Sequence, residues 1–157
     1  MALPRTWDRQ GAYFIPLRLQ LLTRMIEREM TREMQSSFQI SVAEWRILAS
    51  ICTSGPASAA DVAASYEADP GQTSRAVADL MRTGLIERAK SAGGGKKRTI
   101  SPTDRGREIF AEIHKRRQAY FGKVMRDLSS EDVAVLDSFL DLIARRVDEE
   151  RATACDP

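Results

Sequence analysis

Residues 69–103 have the sequence DPGQTSRAVADLMRTGLIERAKSAGGGKKRTISPT. Asp69 and Pro70 are typical of a helix start. Asp accepts hydrogen bonds from the free backbone amides, and Pro at the first helical position lacks an N–H that would have no partner inside the helix. The pattern therefore predicts a helix from Pro70 to about Thr83. Gly84 is a typical terminator, since glycine readily adopts the left-handed conformation that follows many helices.

Two short β-prone runs follow this helix, at residues 85–89 and 99–101. Glycines and a cluster of basic residues separate them. Short apolar-led runs around such a segment predict a two-stranded hairpin with a basic tip. The cationic residues of that tip are Lys96, Lys97 and Arg98.

Two further cap signals precede this stretch. Ser41 and Glu44 form a capping-box pattern at the start of a helix that should end near Gly55. Ser58 should cap a short helix that continues to about Tyr66. Two helices joined by a short turn and followed by a basic hairpin predict a winged helix-turn-helix, a fold that places a helix in the DNA major groove.

Amphipathic helices flank this predicted lobe. We expect one from about Tyr13 to about Ser36, a long one after Pro102 to about Asp127, and a last one that begins after Ser129. The predicted fold class is mainly α (α+β), with about six helices and a two-stranded β wing. The predicted domain organisation is an N-terminal extension (1–12), one domain (13–150) and a C-terminal tail (151–157). Within the domain, a DNA-binding lobe (41–103) lies between helical segments (13–37 and 104–150).

The composition is that of a globular domain. The chain has 157 residues, of which 43% are hydrophobic and 29% charged. Its uncharged apolar runs are far shorter than the roughly 20 residues that a membrane-spanning helix needs, so no membrane partner is expected. Residues 1–10 lack the apolar core of a secretory signal, and we expect a cytoplasmic protein.

The weak net charge of +2 hides an asymmetry. Residues 71–107 contain nine basic and three acidic side chains, a net charge of +6. The remaining 15 basic and 19 acidic side chains give −4. Such a basic island is a plausible footprint for a polyanion, although a solvated surface with scattered charges gives the same count.

The helix after Asp69 has two faces. With Thr73, Val77, Leu80 and Met81 turned inward, Gly71, Arg75, Ala78 and Arg82 lie roughly opposite, flanked by Gln72 and Ser74. Arginine and glutamine can make paired hydrogen bonds to guanine and adenine, respectively. The candidate DNA-binding residues are Gln72, Thr73, Ser74, Arg75 and Arg82 in this helix, and Ser58, Arg88, Lys96, Lys97 and Arg98 in the wing and a helix N-terminus.

The order and spacing of several motifs over residues 14–150 resemble the MarR family of bacterial regulators. The motifs are SVAEWRILA (41–49), Gly55-Pro56, TSRAV (73–77), LMRTGLIER (80–88) and TDRG (103–106). The resemblance implies a homodimer of double-stranded DNA-binding chains on a pseudo-palindromic operator. It also implies a repressor that a small aromatic or phenolic effector releases.

The wing departs from the family pattern, in which an Asp shortly before a wing-tip Arg stiffens the wing. Counted back from Thr103, Gly94 takes the Asp position and Lys96 the Arg position. A shift of one or two residues makes Arg98 the equivalent instead. Neither alignment supplies an acidic partner, so we expect the wing tip to contact DNA more purely through its charge.

Apolar stripes in the terminal helices suggest a partner subunit, because two long helices beside a compact lobe carry more apolar surface than the lobe can cover. The family resemblance implies that these helices form the dimer. The candidate dimerisation residues are Leu17, Leu21, Phe121, Leu136, Leu140, Ile143 and Val147.

Other functions have little support. A single histidine, His114, excludes a metal site with several histidines, and no histidine-based triad, cofactor, metal site or enzymatic activity is expected. Cys52 is either a small core residue or the thiol of a redox-sensing regulator, and Cys155 lies in the tail. A second alternative is a winged-helix module that binds protein instead of DNA; its binding would lack the steep salt dependence of DNA binding.

Overall fold

The computed structural model describes residues 3–89 and 99–154. Within these residues the chain forms six α-helices and one antiparallel pair of strands, which confirms the predicted fold class. The elements are a 3₁₀ turn (Ala12–Phe14), α1 (Ile15–Phe38), α2 (Val42–Ser54), α3 (Ala59–Ser65), α4 (Pro70–Arg82), β1 (Ile86–Ala89), β2 (Thr99–Pro102), α5 (Asp104–Val124) and α6 (Ser130–Ala154).

The chain divides into two compact units, Met1–Lys115 and Arg116–Pro157, with the boundary inside α5. Neither unit coincides with the lobe predicted over residues 41–103. The domain boundaries drawn from the sequence stay a prediction.

Capping boxes start α2 and α3, as predicted. The Ser41 hydroxyl accepts the Glu44 backbone N–H at 3.2 Å, and the Glu44 carboxylate accepts the Ser41 N–H at 2.8 Å. Ser58 and Asp61 repeat the arrangement at 3.2 and 3.3 Å. Each box satisfies two backbone donors that have no partner inside the helix.

The first helix starts and ends slightly later than the sequence suggested. The 3₁₀ turn precedes α1, and Pro16 occupies its first turn, where a missing N–H costs nothing. The helix continues to Phe38 because the chain leaves the helical region only at Gln39, whose φ of 56° is left-handed.

The core of the first unit includes buried side chains from several helices. Leu48 of α2, Val62 of α3, Leu80 of α4 and Ile113 of α5 are all fully buried. Burial of each such side chain contributes about 1.5–3 kcal/mol, so this cluster fixes how α4 lies in the unit. The opposite face of α4 is thereby left at the surface.

Candidate nucleic-acid interface

The first turn of α4 is held by Asp69. Its Oδ1 accepts the Gln72 backbone N–H at 2.7 Å, and Pro70 follows as the first helical residue. The Thr73 hydroxyl donates to the Asp69 carbonyl oxygen at 3.1 Å. The cap predicted from the sequence is therefore present, and Gln72 is anchored by its backbone at the start of the helix.

The inner face of α4 differs in detail from the predicted one. Thr73 and Leu80 are buried as expected, with Thr73 only 5% exposed. Val77 and Met81 are half-buried, and Ala76 takes the interior position. A small side chain at this position lets α4 lie close to its neighbours.

The outer face of α4 is polar and small. Most of the side chains predicted to lie outward do so. The exposed residues of the helix are Pro70, Gly71, Gln72, Ser74, Arg75, Ala78, Asp79 and Arg82. Glycine and alanine leave room for another surface to approach, and the longer side chains carry the hydrogen-bonding groups.

Arg75 and Arg82 differ in their surroundings. Arg75 is exposed, and within the described part of the chain its guanidinium makes no hydrogen bond or ion pair. Arg82 lies 3.2 Å from an Asp79 carboxylate oxygen, with the two side chains 73% and 52% exposed. Arg75 is therefore the freer donor.

Two predicted contact residues lie inside the fold. Ser58 is only 8% exposed, and its hydroxyl caps α3. Thr73 is likewise buried and bonded to the Asp69 carbonyl. Both hydroxyls form hydrogen bonds with the backbone at the start of a helix, which explains why neither side chain lies on the exposed face of α4.

The C-terminus of α4 turns sharply into the first strand. Gly84 has a φ of +71°, a conformation that favours glycine. Its N–H donates to the Met81 carbonyl, and the Leu85 N–H donates to the Leu80 carbonyl at 2.9 Å. This pair of bonds is a Schellman motif, and it directs the chain from α4 into the wing.

The wing is an antiparallel pair in which Arg88 lies opposite Ile100. Ile100 also exchanges two backbone hydrogen bonds with Ala57, at 2.9 and 3.3 Å, so the turn between α2 and α3 is joined to the sheet. Arg88 is exposed. The predicted tip residues Lys96, Lys97 and Arg98 lie outside the described residues, as does Gly94.

The start of α5 is joined to the α4–β1 turn. The Thr103 hydroxyl donates to the Gly84 carbonyl at 2.8 Å and accepts the Gly106 N–H at 3.1 Å. A Cβ on Gly106 would lie 2.0 Å from the Leu85 carbonyl oxygen, so only glycine fits. This junction fixes the wing relative to α4.

Sequence reasoning missed a second set of contacts beside the helix-turn-helix. Arg46 donates to Glu27 of α1 at 2.8 Å, and its guanidinium carbon lies 6.0 Å from the centre of the Tyr66 ring. Arg46 thereby contacts both α1 and the end of α3. Nineteen residues separate Arg46 from Glu27, and neither residue lies in a motif that would have paired them.

The apolar stripe of α6 is exposed in the single chain. Leu136, Leu140, Ile143 and Val147 are between 39% and 55% exposed. Val135, Phe139 and Leu142, which were not among the predicted dimerisation residues, are exposed as well. Together these exposed apolar side chains cover about half of the circumference of α6.

The remaining predicted dimerisation residues are half-buried. Leu17 and Leu21 lie on α1. Phe121 of α5 contacts the neighbouring Tyr120 ring at 5.4 Å, and the Arg117 guanidinium lies 5.6 Å from its centre.

Cys52 is half-buried on α2. Burial raises the pKa of its thiol, and the positive charge of Arg107 offsets this only in part. Because the thiolate is the form that oxidants attack, a raised pKa disfavours a sensor role. Cys155 lies outside the described residues.

Trp45, Phe110 and His114 form a stack between α2 and α5. The ring centres are 5.6 Å apart in the first pair and 5.4 Å apart in the second, with interplanar angles of 11° and 26°. Trp45 is buried, and Phe110 is half-buried. The solitary histidine is thus a stacking partner of Phe110.

The described residues offer neither a metal-binding cluster nor a membrane-spanning helix. In residues 3–89 and 99–154, no group of three or more His, Cys, Asp or Glu side chains is arranged to hold a metal ion. No helix in the same part of the chain is long and apolar enough to cross a membrane.

The capped helix pair, the exposed face of α4 and the adjoining hairpin define a winged helix-turn-helix protein. The model of the MarR family matches residues 38–97, which contain α2, α3, α4 and β1. A comparison with curated proteins gave no significant match.

Solved structures share the fold over most of the chain. A MarR family regulator from Neisseria meningitidis has 16% identity and a TM-score of 0.75, covering 93% of this chain and 99% of its own. A MarR/EmrR family regulator from Acinetobacter sp. ADP1 has 16% identity and a TM-score of 0.80, covering 90% and 99%. FabT of Streptococcus pneumoniae, solved in complex with DNA, has 19% identity and a TM-score of 0.75, covering 88% and 99%.

These matches confirm the family resemblance drawn from the sequence. The chain has the winged helix-turn-helix fold of solved MarR family regulators, and its residues 38–97 match the model of that family.

Proposed function

We propose that the chain is a cytoplasmic bacterial repressor that binds a pseudo-palindromic operator as a homodimer and leaves it when a small aromatic or phenolic effector binds. The observation that carries this proposal is the exposed face of α4. The face combines small residues, which permit close approach, with Gln72 and with Arg75, which has no ion pair among the residues that the structure describes. FabT, which has the same fold, was solved in complex with DNA.

The proposed assignment of side chains to base contacts and to phosphate contacts follows from their chemistry. Gln72, Ser74 and Arg75 read base edges in the major groove, where each base pair presents its own donors and acceptors. Arg82 and Arg88 contact phosphates, together with Lys96, Lys97 and Arg98 of the wing tip. Phosphate contacts fix the register of the protein on the duplex but carry no sequence information.

The proposed homodimer is supported by α6. A row of exposed leucine, isoleucine and valine side chains is costly in water, and a second copy of the same helix would cover it. Leu17, Leu21 and Phe121 belong to the same proposed interface. A dimer must present its two α4 helices about one DNA turn apart, roughly 34 Å, to reach successive major grooves.

The proposed effector class is supported by the family resemblance and by the stack of Trp45, Phe110 and His114. An aromatic ligand can extend such a stack, since offset stacked rings attract one another. Ligand release of DNA then requires different effector affinities in the bound and free forms.

The test is selection of duplexes from a random-sequence pool, followed by binding of the selected duplex and a scrambled duplex at several salt concentrations. We expect sequence enrichment and a steep loss of affinity with salt. Arg75→Ala should cost about 1–3 kcal/mol on the selected duplex and relax one guanine preference. Arg126→Ala, which removes an exposed charge from the turn before α6, is the matched control and should leave the base preference unchanged.

Two results would overturn the proposal. Absence of DNA binding at low salt would favour a protein-binding module instead. Equal affinity for the selected and scrambled duplexes would remove the sequence-reading role of α4.

A further inference from the structure

Asp79 is the only acidic residue in α4, and it lies on the exposed side of the helix. A carboxylate on a surface that meets DNA is repelled by the phosphates, so its presence weakens binding to any duplex. The position of Asp79 therefore calls for a physical reason.

The stability of the helix supplies little of that reason, because an exposed i, i+3 pair such as Asp79–Arg82 stabilises a helix only weakly. Asp79 stands in the last turn of α4, where the unpaired carbonyl ends of the helix disfavour negative charge. It is the Asp79 backbone carbonyl that accepts bonds from Thr83, at 2.9 Å from the N–H and 3.0 Å from the hydroxyl. The carboxylate itself is exposed and takes no part in the core.

The carboxylate instead lies among the basic residues of the outer face. Its Oδ1 accepts a hydrogen bond from Arg82 at 3.2 Å, and Arg75 stands one helical turn before it. The pair with Arg82 leaves acceptor positions on the carboxylate free, because an ionised carboxylate has about four. A base edge with an amino group can fill one of them, and cytosine N4 is the usual donor to aspartate.

We propose that Asp79 is a specificity-determining residue that lowers the affinity of α4 for DNA in general and recovers it where a cytosine amino group meets the carboxylate. This inference rests on the proposed function. At a non-cognate site the carboxylate faces phosphates and receives no hydrogen bond from the DNA. At the cognate site its hydrogen bond offsets that repulsion.

The test compares Asp79→Asn with the unchanged protein in duplex selection and in binding to the selected and scrambled duplexes. Asparagine keeps the shape but removes the charge, and its amide pairs with adenine. We expect tighter binding to the scrambled duplex, a ratio of selected to scrambled affinity that falls about fivefold or more, and replacement of one selected cytosine by adenine.

The matched control is Asp141→Asn in α6. Asp141 is also an exposed aspartate with an arginine one turn later, Arg145 at 3.9 Å, so the change in net charge is the same. The control should leave both affinities and the selected sequence unchanged.

The outcomes separate this inference from the proposed function. If the unchanged protein selects a sequence but Asp79→Asn selects the same one with the same affinity ratio, the role of Asp79 is refuted and the regulator stands. An equal effect of Asp141→Asn would also refute it, because the effect would then be one of net charge. If the unchanged protein selects no sequence, the proposed function itself fails.

Discussion

Replacement of Gly106 by alanine tests the junction that joins the wing to α4. The added Cβ would lie 2.0 Å from the Leu85 carbonyl oxygen, 3.0 Å from its carbonyl carbon and 3.4 Å from a Leu48 methyl group. The first two obstacles are backbone atoms, and the carbonyl already accepts the Thr103 N–H at 3.1 Å. Rotation of a side chain therefore cannot relieve the clash.

The expected cost follows from three contributions. Insertion of a methyl group into a packed site costs about 1–3 kcal/mol. Loss of the hydrogen bond to the displaced carbonyl adds about 1 kcal/mol. The higher helix propensity of alanine offsets about 1 kcal/mol of this loss in the free energy of unfolding. Because backbone must move, we expect a net loss of about 2–3 kcal/mol, which lowers the Tm by roughly 4–12 °C at this chain length.

The assay is urea and thermal unfolding at a fixed protein concentration, with Gly122→Ala as the matched control. Gly122 lies in the same helix, and a Cβ there would meet nothing within 4 Å. The control should be unchanged or stabilised by up to about 1 kcal/mol. Equal stability of Gly106→Ala and Gly122→Ala would refute the close approach of α5 to Leu85.

Three further predictions concern other parts of the chain. Leu140→Asp should shift sedimentation from dimer to monomer, whereas Ser138→Asp on the same helix should not; a dimeric Leu140→Asp would contradict the proposed interface. In a protein that carries Cys155→Ser, Cys52 should react with iodoacetamide more slowly than a free thiol at pH 8, because burial raises its pKa. The thiol of the unfolded chain ionises at a lower pH than the folded one, so Cys52 should also lower the free energy of unfolding above about pH 9. A Cys52 as reactive as a free thiol would count against this burial. Thr103→Val removes one hydrogen bond from the Gly84 carbonyl and one from the start of α5; we expect a loss of about 1–2 kcal/mol, and an unchanged urea midpoint would show that neither bond contributes.

Features that depend on neighbouring residues in the chain were predictable. The caps at Ser41, Ser58 and Asp69 were identified because side chain and backbone partner are three residues apart. The exposed face of α4 followed from helical periodicity. The Asp79–Arg82 pair is also local, and its i, i+3 spacing was a signal that could have been used.

Features that depend on distant residues were not predictable in the same way. Periodicity placed Val77 inward, but the packing of other helices against α4 gives the interior position to the smaller Ala76. The motif that ends in Gly106 was visible, yet the Leu85 carbonyl that excludes a side chain is more than 20 residues away. The contact of Arg46 with Glu27 likewise needs the tertiary fold.

The two exposed surfaces of this chain call for partners of opposite character. The outer face of α4 is cationic and polar, and under the proposed function it gains energy from phosphates and base edges. The face of α6 is apolar, and it gains energy only from another apolar surface. If a second copy covers α6 and DNA covers α4, the two events are linked, because a dimer engages two half-sites at once. The second half-site then binds at a high effective concentration, so a variant that loses the dimer should lose operator affinity without any change in α4.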